Sequence, residues 1–283
     1  MTEKQVHWDW EIKSQTTWLG ASWKELYSFK DLLFRLVRKD FLASYQQTLL
    51  GPFWAVLQPI LTVLIYVLVF NKVMSVSTQG IPPFLYYLIG ITLWNLFSDI
   101  FQYTSITFTA NAYIFSKVYF PRIITPLAVM LLHGIRFLIQ LLLLIGVLLY
   151  YYFTGEVELL PVNALLAIPT VIITAGIGLG SGLIFSIITA KYRDLQNMIQ
   201  LIIRLLMFVC PIFYSTAMVP AKIKWIVLLN PLSSQFEMFR YAFIGIGETS
   251  LLPFLYSTLF MIALVGSGVL LFNKMGDKLI DVI

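Results

Sequence analysis

Apolar runs about twenty residues long recur along this chain, and their length restricts the fold more than any other feature. A helix rises about 1.5 Å per residue, so about twenty apolar residues cross a hydrocarbon layer about 30 Å thick. Six such runs occur, at about 54–74, 84–108, 123–153, 162–190, 198–218 and 252–272. Composition agrees: 59% of the residues are hydrophobic and 12% charged, with mean hydropathy +0.84, a balance foreign to water-soluble domains. A transmembrane barrel needs segments of about ten residues alternating in polarity, and runs such as Leu141 to Val147 do not alternate. The expected fold is an all-α integral membrane protein with six transmembrane helices. Residues 1–51 form a cytoplasmic N-terminal segment and 52–283 the membrane domain.

Lys and Arg set orientation, because cytoplasmic loops carry an excess of them. With the N-terminus inside, 13 of the 19 fall in cytoplasmic segments and four on the opposite side, while Arg136 and Arg204 lie within spans. Both termini are therefore expected in the cytoplasm. The first apolar run begins only near residue 53, behind a long charged segment, which predicts no cleaved signal peptide. The basic residues gather at membrane boundaries, so the net charge of +5 fits anionic lipid rather than nucleic acid. One cysteine, Cys210, excludes an intrachain disulfide. His133 lacks Glu or Cys neighbours, and no metal site is expected.

Between Ser22 and Phe41 the apolar residues Leu26, Phe29, Leu33, Leu36, Val37 and Phe41 recur at helical spacing among Lys24, Lys30, Arg35, Arg38 and Lys39. That pattern predicts an amphipathic helix lying in the inner membrane interface; a solvated helix of a small cytoplasmic domain is the alternative. The upstream WDWEI at 8–12 suits lipid headgroups or a partner surface. Gly51 and Pro52 then interrupt the backbone and allow a bend before the first span.

Ionisable groups at membrane depth are costly and face protein, a counter-charge or water. Asp99, His133, Arg136 and Arg204 are such groups. Counted from the cytoplasmic ends, Asp99 and Arg204 lie at similar depth, which predicts that they pair, with Arg136 as the competing partner. Such a pair either fixes helix register or serves transport. Gln196, Gln200 and Arg204 fall at steps of four, on one helical face, which should turn toward protein or a channel. His133, Arg136 and Gln140 make a similar face. The alternate glycines Gly176, Gly178, Gly180 and Gly182 lie inside an apolar span without the strand and turn of a dinucleotide site; they predict close helix packing. No GxxxxGK[ST] loop is present, so this chain is not expected to hydrolyse ATP.

Four segments, YQQTLLGPFWAVLQP at 45–59, SKVYFPR at 116–122, KYRDL at 191–195 and NPLSSQFEMFRYAF at 230–243, resemble in sequence and order the permease subunits of ATP-binding-cassette exporters of bacterial polysaccharides, the type-2 family that handles O-antigen, capsule or teichoic acid. The resemblance implies a multi-pass protein of the bacterial cytoplasmic membrane that works as a homodimer, with a lipid-linked polysaccharide passing at the dimer interface. It also implies two copies of a separate ATPase, which hold the ATP and Mg; no cofactor is expected on this chain. The loop of Ser116, Lys117, Val118, Tyr119, Phe120, Pro121 and Arg122 would couple to that ATPase. Its aromatic pair between basic residues suits an apolar anchor oriented by charge; a lipid-anchoring loop is the alternative. Asp194 is expected to cap the fifth span. The family's aromatic-lined channel makes Tyr87, Trp94, Phe97 and Phe101 candidates for ring contacts with sugar, though many of this span's rings belong to packing.

Between the fifth and sixth spans, residues 220–247 hold two apolar pieces too short to cross, separated by Asn230-Pro231. They predict re-entrant or surface helices on the outer side, with Glu237 and Arg240 spaced to pair. The resemblance implies an outer gate there. At 43–47 this chain reads ASYQQ where the family usually has more basic residues, leaving Arg38 and Lys39 for headgroup phosphates. Rival readings are export of another amphiphile (teichoic acid, glycolipid or drug) and a membrane enzyme acting on lipid-linked sugars. The enzyme lacks converging acids or bases, since Glu156, Glu158 and Glu248 fall on separate outer loops.

Overall fold

The computed structural model describes residues 23–158, 163–192, 194–247 and 249–280, and among them every regular element is a helix. The segment 8–12, Arg193 and Glu248 lie outside the described residues. Two helices precede the membrane domain, α1 (Trp23–Ser28) and α2 (Lys30–Tyr45). Then come α3 (Trp54–Tyr66), led in by a 3-10 turn and continued by a π-helical stretch, α4 (Pro83–Ser105), α5 (Thr107–Phe115) and α6 (Ile124–Phe153). The chain ends with α7 (Ala167–Lys191), α8 (Leu195–Val209), α9 (Ala221–Leu229), α10 (Pro231–Ile244) and α11 (Leu251–Ile280).

Five stretches among the described residues are long and apolar enough to cross a membrane: Gly51–Val73, Pro83–Ser105, Ile124–Phe153, Asn163–Lys191 and Leu251–Gly276. They match five of the six predicted runs. The remaining run, 198–218, the fifth in chain order, is not one helix. α8 stops at Val209, after 15 residues, which is about 22 Å of helix. Pro211 is the cause, because it has no N–H to continue the ladder and forces the preceding residue out of helical geometry; Cys210 is extended, with φ −73° and ψ 142°. The predicted run 84–108 is likewise broken, by Ile106 at φ −106° and ψ 11°, after which α5 begins.

α4 is the hub. Of its most apolar window 83% is buried, against 11% for α11, and α3, α6, α7, α8 and α10 all pack on it. The glycines of α7 explain how it fits between α4 and α11. Two residues along a helix turn it by about 200°, so alternate glycines serve opposite faces. A Cβ at Gly178 would lie 3.0 Å from the Phe97 carbonyl oxygen and one at Gly182 2.5 Å from Thr104 Cβ, both on α4. One at Gly176 would lie 2.6 Å from Met261 Cγ and one at Gly180 2.8 Å from the Leu264 carbonyl carbon, both on α11. The predicted close packing is what these residues provide.

α2 carries the predicted amphipathic pattern, but its apolar stripe packs on protein. Leu36 and Val37 are buried with Phe120 and with Ile124, Ala128 and Leu132 of α6, forming a small core separate from the main one. Arg35, Arg38 and Lys39 lie on the exposed side, and Lys39 Nζ is 3.3 Å from Asp40.

Candidate functional site

The C-terminal half of α4 presents one unburied stripe, and the residues on it are Asn95, Ser98, Asp99, Gln102 and Tyr103. Their spacing is that of a single helical face. Every other residue from Leu93 to Ser105 is buried. A central membrane helix that hides its apolar side chains and leaves only polar ones uncovered is built to face water, a polar ligand or another polar surface.

α6 runs beside this stripe and supplies its partners. Asn95 Nδ2 donates to Gln140 Oε1 at 3.2 Å. Asp99 Oδ2 lies 3.3 Å from His133 Nδ1, with His133 2% and Asp99 36% exposed. The alignment is not that of a hydrogen bond, so the contact is an ion pair when the imidazole is protonated. The Tyr103 ring stacks on His133 at 4.6 Å between centroids. Arg136 places its guanidinium 5.8 Å from the Tyr45 ring at the end of α2, and its Nε is buried without a hydrogen-bond partner.

The predicted pairing of Asp99 with Arg204 is therefore corrected: the partner is His133, and neither Arg204 nor Arg136 takes that place. Depth along a helix leaves azimuth open, and α6 rather than α8 covers this side of Asp99. On α8, Gln196 Nε2 donates to Thr109 Oγ1 at 3.1 Å, while Gln200 and Arg204 are exposed. The pairing can be checked by double-mutant cycles on thermal stability. Asp99→Asn and His133→Gln should be coupled by about 0.5–3 kcal/mol, and Asp99→Asn and Arg204→Gln should add within about 0.5 kcal/mol. Strong coupling in the second cycle would restore the Arg204 assignment.

Tyr87, Trp94, Phe97 and Phe101 occupy the main core, none more than 4% exposed, because they lie on the faces of α4 that meet other helices. They offer no ring face to a path along this chain. Tyr103, at 43% exposed, is the most exposed ring of α4.

Asp194 stands at the N-cap of α8, but its side chain makes no capping hydrogen bond and its backbone is already helical (φ −63°, ψ −26°). The expected carboxylate cap is thus absent.

At the far end of the bundle, Asn230 caps α10 by accepting from the Leu232 N–H at 3.0 Å, and Pro231 takes the first helical position, where a missing N–H costs nothing. Asn230 Nδ2 also reaches Cys210 Sγ at 3.2 Å. Glu237 and Arg240 pair at 3.1 Å, each about 1% exposed. The Glu237 carboxylate accepts from the Thr216 N–H at 2.9 Å, and Arg240 Nη2 donates to the Pro211 carbonyl at 2.7 Å. The Arg240 guanidinium lies 4.2 Å from the Tyr86 ring centre. A pair expected on a re-entrant or surface helix is the buried clamp that holds the segment after Pro211. The cavity beside Glu237, lined by Thr216, Ser233 and Ser257 among others, measures about 30 Å³, a tenth of the ~300 Å³ at which ligand pockets begin. It is no sugar subsite.

The loop 116–122 divides in two. Val118 and Tyr119 are exposed, Tyr119 by 58%, whereas Phe120 is 4% exposed inside the small core with α2 and α6. Lys117 Nζ donates to Tyr113 OH at 2.6 Å. Arg122 lies across Gly276 of α11, where a Cβ would come 2.9 Å from its Nη1. The expected aromatic pair is therefore one outward ring and one inward ring. Neighbouring positions in an irregular segment need not share a face, and sequence spacing alone gave no way to separate them.

Comparison with known proteins agrees with this architecture. The ABC-2 type transporter family model matches residues 31–244. Two proteins of Klebsiella pneumoniae, each named O-antigen export system permease protein RfbA, are 32% identical over 255 and 254 residues, covering 89% of this chain and 95% of theirs. A protein of the same name from Myxococcus xanthus is 29% identical over 224 residues, covering 78% of this chain and 83% of its own. With an all-helical bundle among the described residues and a family match over most of its length, the chain belongs to the ABC-2 type transporter family.

Proposed function

We propose that this chain is the membrane-spanning subunit of an ATP-driven exporter that carries a lipid-linked polysaccharide of O-antigen or capsular type across the bacterial cytoplasmic membrane. The observation that carries this reading is the polar stripe of α4. With Gln200 and Arg204 of α8 also uncovered, polar side chains at membrane depth remain open on a single copy, an arrangement lipid disfavours. Two copies facing each other would enclose those surfaces around a hydrated path. Export of O-antigen in the named relatives supplies the substrate class.

In this reading α8 and the irregular residues 210–218 after it together make the fifth of six crossings, both termini are cytoplasmic, and α2 lies at the inner interface with Arg35, Arg38 and Lys39 toward anionic headgroups. The helices α9 and α10, held by the clamp of Asn230, Pro231, Glu237 and Arg240, form the outer gate. ATP and Mg belong to a separate ATPase, present in two copies and docked on the loop 116–122. Closure of that partner on ATP shifts the permease between two states according to its differential affinity for them. The test is deletion of the gene, followed by labelling of surface polysaccharide on intact cells and extraction of lipid-linked glycan. Loss of surface polymer with long lipid-linked chains retained inside is the expected result. Unchanged surface polymer would overturn the assignment and direct attention to another exported amphiphile.

A further inference from the structure

We infer that Phe120 is a positioning residue that locks the loop 116–122 to α2, so that a partner acting on the outward half of the loop moves α2 and the start of α6 as one unit. The inference rests on the proposed docking of an ATPase at this loop, and it assigns its seven residues to two different tasks.

Three observations carry it. First, the side chains of the loop point to opposite destinations: Val118 and Tyr119 are more than half exposed, and Phe120 is buried. Second, the core that receives Phe120 is not part of the main core. It consists of Leu36 and Val37 from α2 and Ile124, Ala128 and Leu132 from α6, with Phe41 and Phe115 packed around it. The ring centre of Phe115, the last residue of α5, lies 5.7 Å from that of Phe120, so α5, the loop, α2 and α6 all meet in this one small core. Third, both ends of the loop are fixed. Ser116 N–H donates to the Ala112 carbonyl at 3.0 Å, and the Ile124 N–H to the Pro121 carbonyl at 3.0 Å.

A close-packed interior transmits displacement because it does not compress. Movement imposed at Tyr119 therefore reaches α2 through the adjacent ring, whereas a loop anchored only by its backbone would yield. Removing the ring leaves a cavity between α2 and α6, and the outward half of the loop keeps its exposed residues. Docking and transmission are thus separable.

The experiment uses the full chain co-expressed with its ATPase in membranes, reading co-purification of the two chains and the ratio of polymer exported to ATP hydrolysed. Tyr119→Asp should abolish co-purification. Phe120→Ala should leave co-purification intact, lower the export-to-ATP ratio at least tenfold, and be largely rescued by Phe120→Leu. Leu36→Ala, which opens the same core from the α2 side, should lower the ratio too, and it decides the matter if Phe120→Ala does not accumulate in membranes. Loss of co-purification in Phe120→Ala, or an unchanged ratio in Leu36→Ala, would overturn the inference. Undiminished co-purification in Tyr119→Asp would instead overturn docking at this loop, and with it that part of the proposed function.

Discussion

Glu237→Gln and Arg240→Met will each destabilise the protein by about 3–5 kcal/mol, the cost of removing one partner from a buried ion pair. Both side chains are about 1% exposed, 3.1 Å apart, and bonded onward to the segment that follows α8. In Glu237→Gln the guanidinium keeps the Pro211 carbonyl and the Tyr86 ring face but loses its counter-charge. In Arg240→Met the carboxylate retains the Thr216 N–H and loses the guanidinium beside it. The double variant Glu237→Gln/Arg240→Met removes both charges and should cost less than the sum of the two single changes. Thermal unfolding of the detergent-solubilised protein measures all three. Additive losses would show that the pair does not act as a unit, and unchanged melting of either single variant would show that the clamp is dispensable. Because the pair ties α10 to residues 211–216, the weakened variants should also expose Cys210, now fully buried, to thiol reagents.

Bulk at the crossing points of α7 should also be damaging, for a steric reason. An added Cβ at Gly180 meets backbone atoms of Leu264 and Val265 at 2.8 Å, and one at Gly182 meets Thr104 Cβ at 2.5 Å and the Phe101 carbonyl at 3.1 Å. Backbone cannot rotate aside as a flexible side chain does, so whole helices must separate. Overpacking costs about 1–3 kcal/mol per site, and Gly180→Val and Gly182→Val should lose most folded protein, read as the monodisperse fraction in size-exclusion of the solubilised chain. Gly134→Ala and Gly146→Ala are the controls. Nothing lies within 4 Å of a Cβ at either, so they should match the parent or gain about 0.5–1 kcal/mol from reduced backbone entropy. Equal behaviour of the two sets would mean that α7 is not held by backbone proximity.

These two predictions differ in how far they could be reached without coordinates. The alternate glycines at 176, 178, 180 and 182 already signalled close helix approach, since small residues in an apolar span serve few other ends. Their division between α4 and α11 required the packing arrangement. For Glu237 and Arg240 the spacing of three predicted the pair itself, yet nothing in the local sequence distinguishes a surface pair from a buried one. Burial there arises from α7, α11 and the chain after Pro211 closing over α10, contacts that lie far away in sequence.

What the amino-acid sequence determined by itself was the class of the molecule: a helical membrane protein, five of whose apolar runs are helices long enough to cross a membrane, with an amphipathic helix ahead of them and a transporter family legible in four ordered motifs. Those features are local, because span length, charge placement and the helical period act over neighbouring residues. The tertiary structure alone decided which residues face each other: Asp99 to His133 rather than Arg204, the rings of α4 into the core, its polar stripe outward, and Phe120 inward beside an exposed Tyr119. The physical reason is that partner choice depends on the azimuth at which helices distant in the chain are packed, and a helix's own period leaves that azimuth open.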